Sequence, residues 1–95
     1  VAEQDDIVTV VVHGEVDRDN AERLRIGLRH AVGRAVRTVV ADLRDVALVD
    51  AAGIAAFADV ASAASVAGVQ LRLTGAQPYV AKVMAVSGLR ELMDA

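Results

Sequence analysis

The sequence predicts an α/β domain in which strands and helices alternate along the chain. Three observations support this prediction. Runs of β-branched apolar residues are separated by segments whose apolar residues recur at helical spacing. The run from Thr38 to Leu43 is nearly all apolar, which is typical of a parallel strand buried on both sides. The connections are short, so we expect a small, mostly parallel sheet packed with helices through right-handed crossovers. The alternation does not fix the strand order.

The first half of the chain predicts two strands with a helix between them. Residues 7–13 are β-branched and apolar and predict the first strand, which ends at Gly14-Glu15. Asp17 and Asn20 offer N-cap side chains for a helix that runs to about Val32, and Gly33 could end it. Its apolar positions are Ala21, Leu24, Leu28, Ala31 and Val32. The second strand covers residues 38–43.

The second half continues the alternation. Asp50 begins a long alanine-rich helix that runs to about Ala67, with Gly68 as its stop. Residues 69–74 alternate between apolar and polar and predict a third strand. Pro78 opens a helix over residues 79–86 that ends at Ser87-Gly88, and a short element covers residues 89–93.

The alanine-rich helix has its own pattern. Four of its alanines are predicted to let it lie close to the sheet: Ala55, Ala58, Ala61 and Ala64. Ile54 and Phe57 are expected to make the larger contacts. The alternative to this packing is that the alanine row forms part of an exposed face on which a partner docks.

Length and composition narrow the possible classes of protein. We expect a single domain over residues 1–95, because the chain is long enough for one core but not for two. Val1 is not a natural start, so a piece of a longer parent chain and a domain truncated at its C-terminus both remain open. The mean hydropathy of +0.42 is high. No apolar run approaches the roughly 18–20 residues of a membrane span, so no direct membrane insertion is expected.

The charge and the aromatic content argue against nucleic-acid binding. The net charge is −3, and the chain has one Tyr, one Phe and no Trp, so it has neither a basic footprint nor a stacking platform. It has no cysteine, which excludes disulfides and Cys-based metal sites and fits a reducing compartment. No secretion signal is visible at the N-terminus. We therefore expect a cytoplasmic location.

Catalytic patterns are weak. His13 ends an apolar strand and His30 lies on the first predicted helix, and neither has a serine or carboxylate at a spacing that suggests a triad. Supporting metal ligands are not evident around the two histidines. The chain contains neither GxxxxGK[ST] nor GxGxxG. We expect no enzyme, no metal and no cofactor.

The start of the alanine-rich helix is the most informative position in the chain. A helix N-terminus presents free backbone N–H groups and about half a positive charge, so it suits an anion such as a phosphate. Here Asp50 is followed by Ala51 and Ala52, which have no hydroxyl group and no nucleophile. Whatever this helix end does, it cannot be phosphorylated at these two residues.

Six segments of the chain carry a common signature. Residues 14–17 read Gly-Glu-Val-Asp and residues 20–24 read Asn-Ala-Glu-Arg-Leu. Residues 39–43 read Val-Val-Ala-Asp-Leu, and residues 49–54 read Val-Asp-Ala-Ala-Gly-Ile. Residues 68–73 read Gly-Val-Gln-Leu-Arg-Leu, and residues 83–89 end in Ser-Gly-Leu. Together these segments resemble STAS domains, the family of bacterial anti-sigma-factor antagonists, in the family's order over residues 7–93. Within this resemblance, residues 49–54 are similar to the family's "DSSGL" region.

The resemblance implies a small STAS-like α/β domain with an about four-stranded sheet and helices packed against it. It also implies a protein-interaction module that takes part in partner switching and transcription regulation. In that scheme the unphosphorylated antagonist binds an anti-sigma factor that is itself a serine kinase. Phosphorylation of the second hydroxyl residue of the "DSSG" motif breaks the complex. By position, Asp50 matches the motif's aspartate, Gly53 its glycine, and Ala52 the phosphoacceptor. The resemblance therefore implies a non-phosphorylatable antagonist, whether Ala51-Ala52 is native or engineered; we favour native.

By this resemblance the partner-binding residues are Gly14, Glu15, Asp17, Asp50, Ala51, Ala52, Gly53 and Ile54. Ordinary structural roles compete for several of them. Asp50 is expected to cap the helix in any case, a turn explains Glu15 and Asp17, and Gly53 would also suit a close packing contact. The alternative function is a STAS subunit or module of a transport system, above all a lipid-transport ATPase complex. A small-molecule sensor has no positive support, and the partner and the oligomeric state are left open.

Overall fold

The sheet has four strands in the order β1-β2-β3-β4. The structure is a computed structural model that describes residues 2–4, 6–35 and 37–93, so the ends of the predicted 1–95 domain lie outside the described residues. The strands are β1 (Ala2–Gln4), β2 (Ile7–Val16), β3 (Thr38–Val49) and β4 (Gln70–Thr74). β2 pairs in parallel with β3, and β3 with β4, whereas β1 pairs antiparallel with β2. The mostly parallel α/β sheet is confirmed.

Both central strands are longer than the sequence patterns predict. β2 continues through Gly14 to Val16, and β3 continues through the polar pair Arg44-Asp45 to Val49. The β2–β3 register shifts twice, and at each shift β3 contributes the extra residue. These bulges let β3 keep pairing with β2 where its apolar pattern is interrupted. The predicted strand ends at His13 and Leu43 were therefore both too early.

The core lies on the sheet face that the helices cover. Val8, Val39 and Leu71 stand side by side across β2, β3 and β4, and all three are buried. The opposite face is more open, since Ile7 is exposed and Val40 is half-buried. The prediction that residues 38–43 are buried on both sides is therefore correct for the face with Val39, Ala41 and Leu43. On the other face it is correct for Asp42 but wrong for Thr38 and Val40, which are half-buried.

The helices are α1 (Ala21–Arg34), α2 (Ala51–Val66) and α3 (Pro78–Met84). α1 does not stop at Gly33 but runs on to Arg34, and Ala35 N still donates to Ala31 O at 2.9 Å. α2 ends as predicted. Gly68 has a φ of 74°, a left-handed conformation that favours glycine, and its N–H donates to Ser65 O at 3.1 Å.

The buried face of α2 differs from the prediction. Its buried residues are Gly53, Ala56, Phe57, Val60 and Ala64. Of the predicted alanine row, Ala64 is buried, whereas Ala55 and Ala58 are exposed. A helix this rich in alanine and valine has little apolar contrast between its faces, so the sequence pattern could not orient it.

The C-terminal part is less regular than a single helix to residue 86. After α3, residues 85–89 form a wider helical turn in which Gly88 has a φ of 89°, and residues 90–92 form a short 3₁₀ turn. The helix breaks at Gly88 because this positive φ is not helical. Glycine suits the position, since residues with a side chain rarely adopt such a φ. Met93 then forms an isolated parallel bridge with Leu73 of β4.

Candidate functional site

The N-terminus of α2 lies beside the carboxyl end of β2. Asp50 N donates to Val16 O at 3.0 Å, which fixes the chain as it enters the helix. The Asp50 carboxylate in turn accepts a hydrogen bond at 3.1 Å from Gly53 N. This contact satisfies one of the free amides of the first turn, so the predicted capping role of Asp50 is confirmed.

Gly53 packs closely against the ends of β2 and β3. A Cβ built on Gly53 would lie 2.7 Å from Val16 Cγ1, 2.8 Å from Val49 Cγ1 and 3.1 Å from Val16 O. The helix therefore approaches the ends of both central strands so closely that no side chain fits. Because Gly53 is buried, its effect on any docking surface is indirect: it sets how α2 sits on the sheet.

Ala52 lies between two surface depressions. One of about 410 Å³ is lined by Asp17, Arg18, Asp19, Asp50, Ala51 and Ala52. The other, of about 250 Å³, is lined by Ala21, Glu22, Arg25, Ala52, Ala55 and Ala56. Ala51 is exposed and Ala52 is half-buried. The residue at the phosphoacceptor-equivalent position thus borders an acidic hollow on one side and an alanine-lined hollow on the other.

The loop between β2 and α1 is held in place by its own side chains. Asp17 N donates to Asn20 Oδ1 at 2.9 Å, and Asn20 Nδ2 donates to Glu15 O at 2.7 Å. Asp17 Oδ1 accepts from Asp19 N at 2.9 Å. Asn20 stands at the N-cap position of α1 but makes no side-chain cap, because its amide is used within the loop. The expected capping of α1 by the Asn20 side chain is wrong.

The structure brings together only part of the predicted partner-binding set. Asp17 shares the acidic hollow with Asp50, Ala51 and Ala52. Gly14 and Glu15 are exposed on β2, and Glu15 lines a different groove, between β2 and α1. Ile54 is half-buried and packs against the core.

An ion-pair cluster beside the site joins α1 to α2, and sequence reasoning missed it. Arg25 binds the Glu22 carboxylate through two nitrogens and lies 3.4 Å from Asp59 Oδ2, and Arg29 lies 3.6 Å from the same oxygen. The hydrogen bonds from Arg25 hold the pKa of Glu22 below its ordinary value. The Glu22–Arg25 spacing on one helix could have signalled the first pair. No sequence signal pointed to Asp59.

A second polar cluster lies within β3, between Asp42 and Arg44. The buried Asp42 carboxylate accepts from Arg44 Nη2 at 2.8 Å and from Arg44 N at 3.1 Å. These hydrogen bonds hold the pKa of Asp42 below its ordinary value, since they favour the charged carboxylate. Gln77 Nε2 donates to Arg44 O at 3.0 Å, so the cluster also ties down the segment before α3.

His13 and Asp45 form a polar pair between β2 and β3. His13 Nδ1 lies 3.4 Å from Asp45 Oδ2, and both side chains are largely exposed. The spacing of the two residues in the sequence did not reveal this pair. Among the described residues, no group of three or more His, Cys, Asp or Glu side chains is placed to hold a metal ion. Within the same part of the chain, no helix is long and apolar enough to cross a membrane.

Comparison with known proteins identifies the family. A family model described as "Mlab, STAS domain" matches residues 1–94. The chain belongs to this STAS family. No curated protein matches this STAS domain significantly.

Solved structures of several kinds resemble this STAS domain. The anti-sigma factor antagonist SpoIIAA in its unphosphorylated form is 26% identical with a TM-score of 0.74, over 94% of this chain and 78% of that one. The murine anion transporter Slc26a9 is 25% identical with a TM-score of 0.81, over 95% of this chain and 15% of that one. A putative anti-sigma factor antagonist from Thermotoga maritima has a TM-score of 0.84 at 18% identity, over 97% and 82%, and shows the fold alone.

Proposed function

We propose that this STAS domain is an interaction module of the anti-sigma-factor antagonist type that binds an anti-sigma serine kinase of ATPase fold. The surface at the start of α2 supports the proposal. The half-buried Ala52 lies between two hollows, the exposed Ala51 lines one of them, and the hydrogen-bonded Asp17 loop lies beside them. A partner can pack against these small side chains without displacing a larger one. The proposal implies a bacterial, cytoplasmic setting, where such a kinase controls transcription.

The chemistry at Ala52 supports a binder that phosphorylation does not switch at this position. A phosphate would add about −1.5 to −2 charges and three acceptor oxygens, enough to expel a packed partner. Ala52 cannot accept one. Ser62 and Ser65 are exposed on α2, but they lie too far along the helix to use the field at its N-terminus. We infer that binding is constitutive or is controlled by other means.

The experiment that tests the proposal is affinity capture with this domain as bait from its own cell lysate. We expect an ATPase-fold anti-sigma kinase among the bound proteins identified by mass spectrometry. Ala52→Glu should weaken the measured affinity for that kinase by about tenfold or more, because it places a charge in the interface. Ala58→Glu changes an exposed alanine of the same helix outside both hollows and serves as the matched control.

A serine variant tests the missing switch. With the captured kinase and ATP, Ala52→Ser should gain a phosphate and dissociate, whereas the unchanged chain should stay bound. Equal affinity of the Ala52→Glu variant and the unchanged chain would show that the partner docks elsewhere.

The second candidate is a STAS subunit or module of a transport system. The likeness to the murine anion transporter Slc26a9, 25% identical over 95% of this chain, favours a transport setting. Recovery of a membrane transporter in the same capture experiment would support this candidate and replace the first one, and a bound transport ATPase would identify a lipid-transport ATPase complex.

A further inference from the structure

The helix α1 carries charge of the opposite sign to the chain as a whole. Its 14 residues contain four arginines against one glutamate, whereas the net charge of the whole chain is −3. The rest of the chain is therefore strongly acidic. Arginine is a good helix former, so helix propensity alone accounts for an arginine on a solvated face. The position of each arginine on α1 shows whether it also has a structural role.

Three of the four arginines have such a role. Arg25 and Arg29 bind Asp59 and so join α1 to α2. Arg34 lies in the last turn, where the helix dipole stabilises a positive charge. Arg23 is different, because it is exposed and lies in the first turn, where the dipole disfavours a cation. It forms no ion pair with any residue that the structure describes, so the stability of the fold does not explain its charge.

Two glycines of the same helix are equally unexplained by the fold. Gly27 and Gly33 are exposed, and a Cβ built on either of them meets nothing within 4 Å. Neither has a positive φ. Alanine would fit both positions and would stabilise the helix, because glycine is unfavourable within a helix. Residues that break such a local rule are expected where a surface has a function.

The unexplained arginine and one of these glycines belong to a single line of exposed residues, which we call the α1 row. Its members follow each other at spacings of four, three and four residues: Arg23, Gly27, His30 and Arg34. Ile26, which is 57% exposed, lies beside Arg23 and His30 at the same kind of spacing. The row therefore has a cation at each end, about 16 Å apart along the helix axis, a gap at its glycine and an apolar side chain at its flank.

We propose that the α1 row binds an acidic helix of another protein. Gly27 lets the partner helix approach closely, since no side chain stands between the two backbones at that point. Carboxylates of the partner pair with Arg23 and Arg34, and one of its apolar side chains covers Ile26. The row lies on the side of α1 opposite to Arg25, which contacts α2, so the inference does not depend on the proposed function.

Charge selects this occupant over two others. A second copy of the chain would present the same arginines in a two-fold contact between α1 helices, and the like charges would repel. A flat anionic membrane would also meet the exposed Asp19 and Glu22 beside the first turn, whereas a single helix can follow the row alongside them. Carboxylates that recur every three or four residues on a helix also return after about three turns, which matches the separation of Arg23 and Arg34.

A synthetic acidic helix tests the proposal. The probe is a fluorescein-labelled peptide made of three repeats of Glu-Ala-Ala-Leu-Glu-Ala-Ala, and its binding to the domain is followed by fluorescence polarisation. We expect saturable binding that weakens as the salt concentration rises, and no binding of the matched peptide with Gln in place of Glu. Arg23→Glu should weaken binding by about fivefold or more. Arg90→Glu, the same reversal at an exposed arginine outside the row, should change it by less than about twofold.

A second variant separates binding from folding. Gly27→Leu fills the gap in the row, and helix propensity favours it, so urea unfolding followed by circular dichroism should show a more stable chain. The same variant should bind the probe about fivefold more weakly or worse. Absence of saturable binding, equal losses in Arg23→Glu and Arg90→Glu, or full affinity in Gly27→Leu would overturn the proposal. Saturable binding to vesicles of phosphatidylglycerol and phosphatidylcholine, with none to the peptide, would assign the row to a membrane instead.

Discussion

Replacing Gly53 by alanine should destabilise the fold although it improves the local helix. The added Cβ would lie 2.7 and 2.8 Å from the Cγ1 atoms of Val16 and Val49, and 3.1 Å from the backbone oxygen of Val16. Overpacking of this kind costs about 1–3 kcal/mol, and alanine returns about 0.5–1 kcal/mol of helix stability. The oxygen belongs to a strand paired with β3 and cannot move alone. Taken at the middle of each range, these terms leave a net loss of about 1 kcal/mol in the free energy of unfolding.

Urea unfolding followed by circular dichroism measures this loss, and Gly27→Ala is the matched control. Gly27 is also helical, but a Cβ there meets nothing within 4 Å. The control should therefore gain about 0.5–1 kcal/mol, so the two variants move in opposite directions. A chain of this size should shift its melting temperature by about 4–8 °C per kcal/mol. If Gly53→Ala proves as stable as the unchanged chain, the close approach of α2 to the strand ends is not tight enough to explain the glycine.

Two further stability predictions concern polar side chains. Asp50→Ala should lower the free energy of unfolding, measured in urea, by about 1 kcal/mol, because the Gly53 amide loses its acceptor. Asp50→Asn keeps an acceptor oxygen and should lower it less. Equal losses in the two variants would contradict the capping role. The hydrogen bonds from Arg44 depress the pKa of Asp42, so their contribution is present above the unfolded pKa of aspartate, near 4, and is lost as the pH falls through the depressed folded value. Arg44→Gln should therefore begin acid unfolding at a higher pH than the unchanged chain or than Arg90→Gln; an unshifted acid transition would refute the role of this pair.

Local chemistry made several features predictable. The cap at Asp50, the left-handed stop at Gly68 and Pro78 at the start of α3 depend on neighbouring residues, and the structure has all three. The strand-helix alternation predicted the mostly parallel sheet. β1 was missed because three residues of mixed polarity have no readable period.

The orientation of α2 was not predictable in the same way. Its apolar residues surround the helix, so spacing alone placed Ala55 and Ala58 on the sheet, where the structure instead has Ala56 and Val60. The bulges in β3 follow from pairing with β2, and a strand's own residues do not reveal which partner forces an extra residue.

By itself, the sequence determined the order of the elements, the helix cap, the absence of a hydroxyl at Ala52 and the resemblance to STAS domains, because each depends on residues that are close together in the chain. Only the tertiary structure decided which surface each residue shares. In the structure, Asp17 lines the same hollow as Ala52, whereas Glu15 lines the groove between β2 and α1. Gly53 packs against Val16, and Arg25 forms an ion pair with Asp59. The crossovers and the β2–β3 register set these contacts, and neither is encoded within any one segment.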